Sequence, residues 1–259
     1  MGNPELPVEL IVRICYISTS SSQEAYRSLM LTCYAMRDIV RLGCLPLVPV
    51  TLHRRNQLKS FNKFVKKPGI ASLIRFLWVI PSDARLSDLS AQIISRCNNV
   101  LALACPVDVL LQLNLNVLGE LKHCTELTIK AQKISWPFGP QSAFCERIQR
   151  LHLIGPCQYR SWHNSLPFIN VSSLSYSSGH DSAMGKFVHL TSKFRTLKRI
   201  AVVTHWQNEV PADALQVLTE TLGPEKVKVS VVNRPRRWKE VNIWIDSLHD
   251  KDLFWKVKT

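Results

Sequence analysis

The sequence predicts an α/β protein in which a short N-terminal helical module precedes a solenoid of irregular repeats built around a parallel sheet. Three observations support this fold class. Apolar residues at helical spacing fill the first 45 positions, a short apolar motif recurs every 23 to 29 residues after them, and several segments between its copies again have helical spacing. We therefore assign residues 1–45 to the module and 46–259 to about eight repeats.

Length and composition favour a self-sufficient globular chain. With 259 residues, 46% hydrophobic and 20% charged, the chain can bury a core without disulfides or a structural metal. Its most apolar stretch, residues 100–121, is interrupted by proline and polar residues, and its N-terminus lacks the pattern of a secretory signal. We expect a soluble cytoplasmic or nuclear protein with no membrane contact, whose eight cysteines are reduced, buried thiols.

The positive charge is concentrated after the module. The formal net charge is +14, yet residues 1–45 contain four basic and four acidic side chains, and residues 53–75 contain seven Lys or Arg and no carboxylate. Such a surface attracts nucleic acid, acidic proteins or anionic lipid, or is simply a solvated face. Composition alone leaves these alternatives open.

The module itself is predicted to contain three helices. Pro7 suits a first helical position, and apolar residues at helical spacing predict one helix that ends near Ile17. The serine-rich segment 18–22 predicts a break with an N-cap, and the run 26–40 predicts a second and a third helix. Gly43 marks the end of the module.

The residues of this module match a known motif over positions 4–44. The matching segments are Leu6-Pro7-x-Glu9-Leu10-x-x-x-Ile14, Ser28-Leu29 and Leu31-Thr32-Cys33-Tyr34-Ala35-Met36-Arg37. They resemble an F-box, although Met36 stands where that family often has Trp or Phe. The resemblance implies docking on the Skp-family adaptor of a cullin ubiquitin ligase through Leu6, Pro7, Leu10, Ile14 and Leu29.

The repeated motif after the module is Φ-x-x-Φ-x-Φ, where Φ is apolar. Taking its second apolar residue as the anchor gives anchors at positions 50, 76, 100, 127, 151, 174, 200 and 229. This period is typical of leucine-rich repeats, in which each motif forms a short parallel strand and the chain returns along the other side. Helical spacing in the returns, at 58–65, 86–97, 184–194 and 215–222, agrees with that architecture. A doubly wound α/β sheet is the alternative, but the recurring motif favours the solenoid.

Both parts together are similar to the F-box proteins of mushroom-forming fungi that carry degenerate leucine-rich repeats. Residues 68–79 and 94–100 are similar to the second and third repeats of that family. The resemblance implies a substrate adaptor, in which the front module docks on the ligase and the solenoid holds a target protein for ubiquitin transfer.

The candidate target site is the face of the predicted strands that points away from the core. Residues next to each anchor line this concave face, where solenoids usually bind. Four of the seven positions just before the later anchors are basic, and His152 follows one anchor. A row of cations favours an acidic or phosphorylated target, and the alternative is a solvated sheet face. The predicted target-binding residues are Arg75, Arg150, His152, Arg199 and Lys228.

No catalytic signature accompanies these features. The sequence has no HExxH, GxSxG, Walker or GxGxxG pattern, so we predict a non-enzyme without cofactor or metal. Nucleic-acid binding is the rival class because of the basic runs at 53–55 and 233–239, but no recognised nucleic-acid-binding module accompanies them. A scaffold that keeps the F-box without ligase function is the third hypothesis.

Overall fold

A computed structural model describes residues 6–130, 142–155, 168–177, 191, 194–205, 216, 218–220, 226–234 and 239–249. The protein is α/β, with one eight-stranded sheet whose strands lie side by side in chain order, all parallel. The predicted α/β class with a parallel sheet is therefore confirmed. The strands are β1 Pro49–Leu52, β2 Phe76–Val79, β3 Ala102–Pro106, β4 Glu126–Lys130, β5 Arg150–Ile154, β6 Ser173–Ser177, β7 Arg199–His205 and β8 Lys228–Arg234.

Three helices precede the sheet: α1 Val8–Ser21, α2 Gln23–Thr32 and α3 Tyr34–Ile39. Helix α1 extends four residues beyond the predicted end, and within it the hydroxyls of Thr19, Ser20 and Ser21 donate to carbonyls three or four residues back. Ser22 is the N-cap of α2, accepting a hydrogen bond from the Ala25 backbone at 3.1 Å. A π-helical turn and a 3₁₀ turn then lead into β1.

Further helices connect the strands. Helices α4 Arg55–Val65 and α5 Ser87–Arg96 lie where the sequence predicts helical returns. The helical returns predicted at 184–194 and 215–222 lie mostly outside the described residues. The remaining described helices are α6 Val107–Gln112, α7 Leu115–Glu120, α8 Ala143–Arg147 and, after β8, α9 Glu240–His249.

One face of the sheet packs against α4 to α8 and forms the main core. A row of aligned, buried aliphatic residues crosses this face; it consists of Val50, Leu77, Leu103, Leu127, Leu151, Leu174 and Ile200. The same hydrophobic cluster continues into the front helices through Cys15, Val40 and Cys44. The anchors predicted in β1 and in β4 to β8 are confirmed, whereas Phe76 and Val100 are wrong and give way to Leu77 and Leu103.

None of the helices in the described ranges combines the length and the apolarity that a bilayer crossing requires.

Candidate functional site

The second face of the sheet, opposite the main core, is where the sequence predicts the target site. It is not open, because α9 lies across it. The Trp244 ring packs against Trp78, with 5.5 Å between ring centroids, and belongs to a buried cluster with Ala102, Ala104 and Ile154. One residue earlier, Ile243 packs with Ala201 and Val203 of β7. Helix α9 therefore covers the second face from β2 to β7.

Small side chains on the central strands make room for this helix. Ala102, Ala104, Ser175 and Ala201 point to the second face and are each at most 1% exposed. Helix α9 presents a matching apolar stripe at helical spacing, formed by Val241, Trp244, Ile245 and Leu248. A helix can therefore approach the sheet closely along this path.

A polar contact fixes the start of α9. Glu240 Oε1 accepts a hydrogen bond from Ser177 Oγ at 2.7 Å, and Glu240 Oε2 lies 3.8 Å from His152 Nε2. His152 Nδ1 is in turn hydrogen-bonded with Ser175 Oγ. The predicted target residue His152 thus contacts α9, and its side chain is only 12% exposed.

Arg150 is held by an ion pair on the same face. Its Nη1 donates to Glu126 Oε1 at 2.9 Å, and the two side chains are 29% and 22% exposed. Between these residues and α9 is a cavity of about 30 Å³, also lined by Thr128 and Ser247. This volume suits one or two waters between α9 and the sheet.

The other three predicted target residues lie elsewhere. Arg199 and Lys228 are register partners at the starts of β7 and β8, and both are exposed. Arg75 precedes β2 and is not in their row; its Nη1 donates to the Asn99 carbonyl at 3.2 Å. In β2 to β8 the aligned positions just before the core-facing residues are Phe76, Ala102, Glu126, Arg150, Ser173, Arg199 and Lys228. Three of them are basic, not four, and Arg150 is already paired with Glu126.

The predicted adaptor-binding residues divide into two groups. Leu6, Leu10 and Ile14 are 50%, 46% and 52% exposed, and Pro7 is exposed beside them at the start of α1. Leu6 precedes the helix, whereas Leu10 and Ile14 are four residues apart and lie on one side of α1, with Cys15 and Thr19 buried on another. The fifth residue is different: Leu29 is partly buried against the core, as is Met36.

Most of the described cysteines are buried. Of the seven described cysteines six are buried and Cys33 is exposed, so the prediction of buried thiols fails at that residue. Burial raises the pKa of both Cys97 and Cys124 to about 12. Across the described ranges, no three His, Cys, Asp or Glu side chains cluster in a way that could hold a metal ion.

Sequence reasoning missed α9 altogether. Trp244, Ile245 and Leu248 follow Val241 by three, four and seven residues, which is the signal of an amphipathic helix. That signal predicts a helix but not its position on the second face.

Comparison of the chain with protein-family models gives no match, and comparison with curated proteins gives none either.

Proposed function

We propose that this protein is a substrate-recognition adaptor of a cullin-type ubiquitin ligase. Its front helices act as an F-box that docks on the Skp-family adaptor, and its repeats form a leucine-rich-repeat-like solenoid that binds a target protein. The proposal joins the motif in residues 4–44 to the repeated strand pattern that follows it.

The observation that carries the proposal is the exposed apolar side of α1. Leu10 and Ile14 on α1 and Leu6 just before it are each about half exposed, although the helix buries another side in the module. Exposed aliphatic side chains one helical turn apart offer apolar surface to a partner protein. These are the side chains through which the F-box resemblance implies adaptor docking.

The sheet topology supports the solenoid part of the proposal. Eight parallel strands in strict chain order, with helices in the returns, are what stacked repeats of 23 to 29 residues produce. A doubly wound sheet instead reverses its strand order at a switch point. Within the predicted target-binding set, Arg199 and Lys228 form the exposed pair that a carboxylate or phosphate reaches without displacing α9.

The adaptor claim is tested by co-purification of the tagged full chain with a Skp-family adaptor. Leu10→Ser with Ile14→Ser removes two exposed apolar side chains, so we expect the adaptor to be lost while the far-UV circular dichroism is unchanged. Leu115→Ser is the matched control, because Leu115 is 62% exposed on α7 and plays no part in the proposed interface. Equal capture by the double variant and the control contradicts the docking assignment.

The target claim is tested with charge reversal. Arg199→Glu with Lys228→Glu should preserve adaptor capture and remove target proteins identified by crosslinking to the wild-type chain. Lys122→Glu reverses an exposed charge elsewhere and should retain those targets. If nucleic acid is recovered in place of a target protein, the rival nucleic-acid hypothesis replaces this one.

A further inference from the structure

A strongly basic strip of surface lies on the outer side of the first two helical returns. Lys59 and Lys63 of α4 and Lys66 at its C-cap are exposed, and their spacings of four and three residues place them in one line along the helix. Lys67 follows directly and is also exposed. With the exposed Arg96 at the end of α5, these four lysines form a surface that we call the basic stripe.

Arg96 is held beside the lysines by a contact between the two helices. Its Nη1 donates to Asn62 Oδ1 at 3.3 Å and to the Gln92 carbonyl at 3.1 Å. Asn62 is next to Lys63 in the chain and about one helical turn from both Lys59 and Lys66. The guanidinium therefore lies beside the same line of cations, and the stripe includes both helices.

No carboxylate neutralises the stripe within the described residues. The chain contains no Asp or Glu between positions 39 and 82, and none of the five cations forms an ion pair with another described residue. Asp83 is paired with Arg85 at 3.2 Å, and Asp88 lies at the start of α5, about 12 Å along the helix axis from Arg96. The stripe therefore has an unbalanced positive potential that attracts an anionic partner.

The surface around the stripe is polar, which narrows the class of partner. Phe61 and Phe64 are partly buried against the core on another side of α4, and neither α4 nor α5 exposes a large apolar side chain. A stable protein interface normally has an apolar core, and stable binding to a bilayer normally adds an inserted apolar face. The phosphates of nucleic acid require neither, because charge neutralisation and counterion release supply nearly all of their non-specific affinity.

The spacing of the lysines fits the backbone of a double helix. Lys59 and Lys66 are about 10 Å apart along the helix axis, which corresponds to about three phosphates of one strand at about 3.4 Å per base pair. Single strands are bound largely by stacking of their bases on exposed aromatic rings, which α4 and α5 lack. We propose that the basic stripe binds the phosphate backbone of double-stranded nucleic acid without sequence preference.

This binding is independent of the proposed ligase function. The stripe contains no residue of α1, and its cations lie in the returns after β1 and β2, whereas Arg199 and Lys228 lie at the starts of β7 and β8. Removal of the stripe should therefore leave both adaptor capture and target capture unchanged.

The test titrates the full chain into a fluorescein-labelled DNA duplex of about 20 base pairs and follows fluorescence anisotropy between about 0.05 and 0.3 M salt. Five phosphate contacts predict that the logarithm of the association constant falls against the logarithm of the salt concentration with a slope of about −4 to −5. Two duplexes of unrelated sequence should bind equally, and the corresponding single strand should bind more weakly.

Two matched variants locate the contact. Lys59→Gln with Lys63→Gln and Lys66→Gln should reduce the magnitude of that slope by about 2 to 3, and the affinity at about 0.1 M salt by at least about tenfold. The control is Lys122→Gln with Lys198→Gln and Lys226→Gln, which removes three exposed cations from the turns before β4, β7 and β8 and changes the net charge equally. Its slope should stay within about one of the wild-type slope. Urea unfolding verifies that both variants are folded.

Three contrary outcomes overturn the proposal. If the duplex is not bound at about 0.05 M salt, the stripe is solvated surface only. If both triple variants reduce the slope equally, binding follows net charge and is not located at the stripe. If the chain binds the single strand, phosphatidylserine vesicles or poly-glutamate more tightly than the duplex, the stripe serves another anionic partner.

Discussion

Removing the Trp244 side chain should destabilise the protein substantially, because this residue holds α9 on the second face of the sheet. Trp244 is 4% exposed and lies against Trp78, Ala102 and Ala104. A buried tryptophan removes about 150–250 Å² from water, which at about 25 cal/mol per Å² corresponds to roughly 4–6 kcal/mol. Measured losses for buried aromatic residues replaced by alanine are about 3–5 kcal/mol. We expect Trp244→Ala to lower the free energy of unfolding by about 3–5 kcal/mol.

Urea unfolding followed by far-UV circular dichroism measures this loss. Against a typical total stability of about 5–15 kcal/mol, it should shift the midpoint far outside experimental error. Trp244→Phe keeps an aromatic ring and should recover more than half of the loss. Hydrogen exchange of the 240–249 segment reports whether α9 opens separately from the sheet. A loss below about 1 kcal/mol for Trp244→Ala, with unchanged exchange in that segment, refutes the argument that α9 is held by this contact.

Three further predictions concern single side chains of the described structure. Ser22→Ala removes the hydroxyl that caps α2 at the Ala25 N–H and should lower the free energy of unfolding, measured in urea, by about 1 kcal/mol. Ser22→Asp keeps a side-chain acceptor and should retain most of the stability. Equal stability of the two variants contradicts the capping role of Ser22. Burial raises the pKa of Tyr26 from 10.0 to about 12, so the unfolded chain loses this proton first and the free energy of unfolding falls between pH 10 and pH 12. Tyr26→Phe should reduce the slope of unfolding free energy against pH by up to about 1.4 kcal/mol per pH unit in that range. Equal slopes for the variant and the wild type contradict the raised pKa. Iodoacetamide should modify the exposed Cys33 well before the buried Cys97, whose pKa is raised to about 12. Peptide mass mapping measures the order of modification, and early modification of Cys97 contradicts its burial.

The strands β4 to β8 were predictable because each keeps a polar residue beside an apolar one. Glu126, Arg150, Ser173 and Lys228 stand next to anchors that face the main core, so the alternation shows which face each side chain occupies. A period of two then fixes both the anchors and the parallel register.

The strands β2 and β3 gave wrong anchors because both of their faces are buried. In Phe76-Leu77-Trp78-Val79 every residue is apolar, since Leu77 faces the main core and Trp78 faces α9. Alternation disappears when neither face is solvated, and a shift by one residue exchanges the two faces. Arg75 was assigned to the target site by this shift, although it precedes the strand.

The position of α9 required information that no local pattern contains. Its amphipathic spacing is visible in the sequence. Its position on the sheet, however, depends on Ala102, Ala104, Ser175 and Ala201, which come from three strands far apart in the chain. Arg150 and His152 were therefore predicted as exposed target residues, whereas they contact Glu126, Ser175 and Glu240. Long-range packing of this kind decides exposure, and local periodicity does not report it.

The exposed side of α1 was only partly predictable. The F-box resemblance selected Leu6, Leu10 and Ile14, which are exposed, together with Leu29, which packs against the core. Apolar spacing alone cannot distinguish the two groups, because a helix with two apolar sides has the same composition as a fully buried one. Only the tertiary contacts separate them.

The central claim is that α1 docks on a Skp-family adaptor, and the mass of the mixed sample tests it most directly. The full chain and the purified adaptor are combined in about 0.5 M salt, which screens purely electrostatic association, and passed through size exclusion with light scattering. We predict one complex whose mass is the sum of this 29.5 kDa chain and one adaptor. Elution of the chain alone at 29.5 kDa, with the adaptor in a separate peak, contradicts the claim.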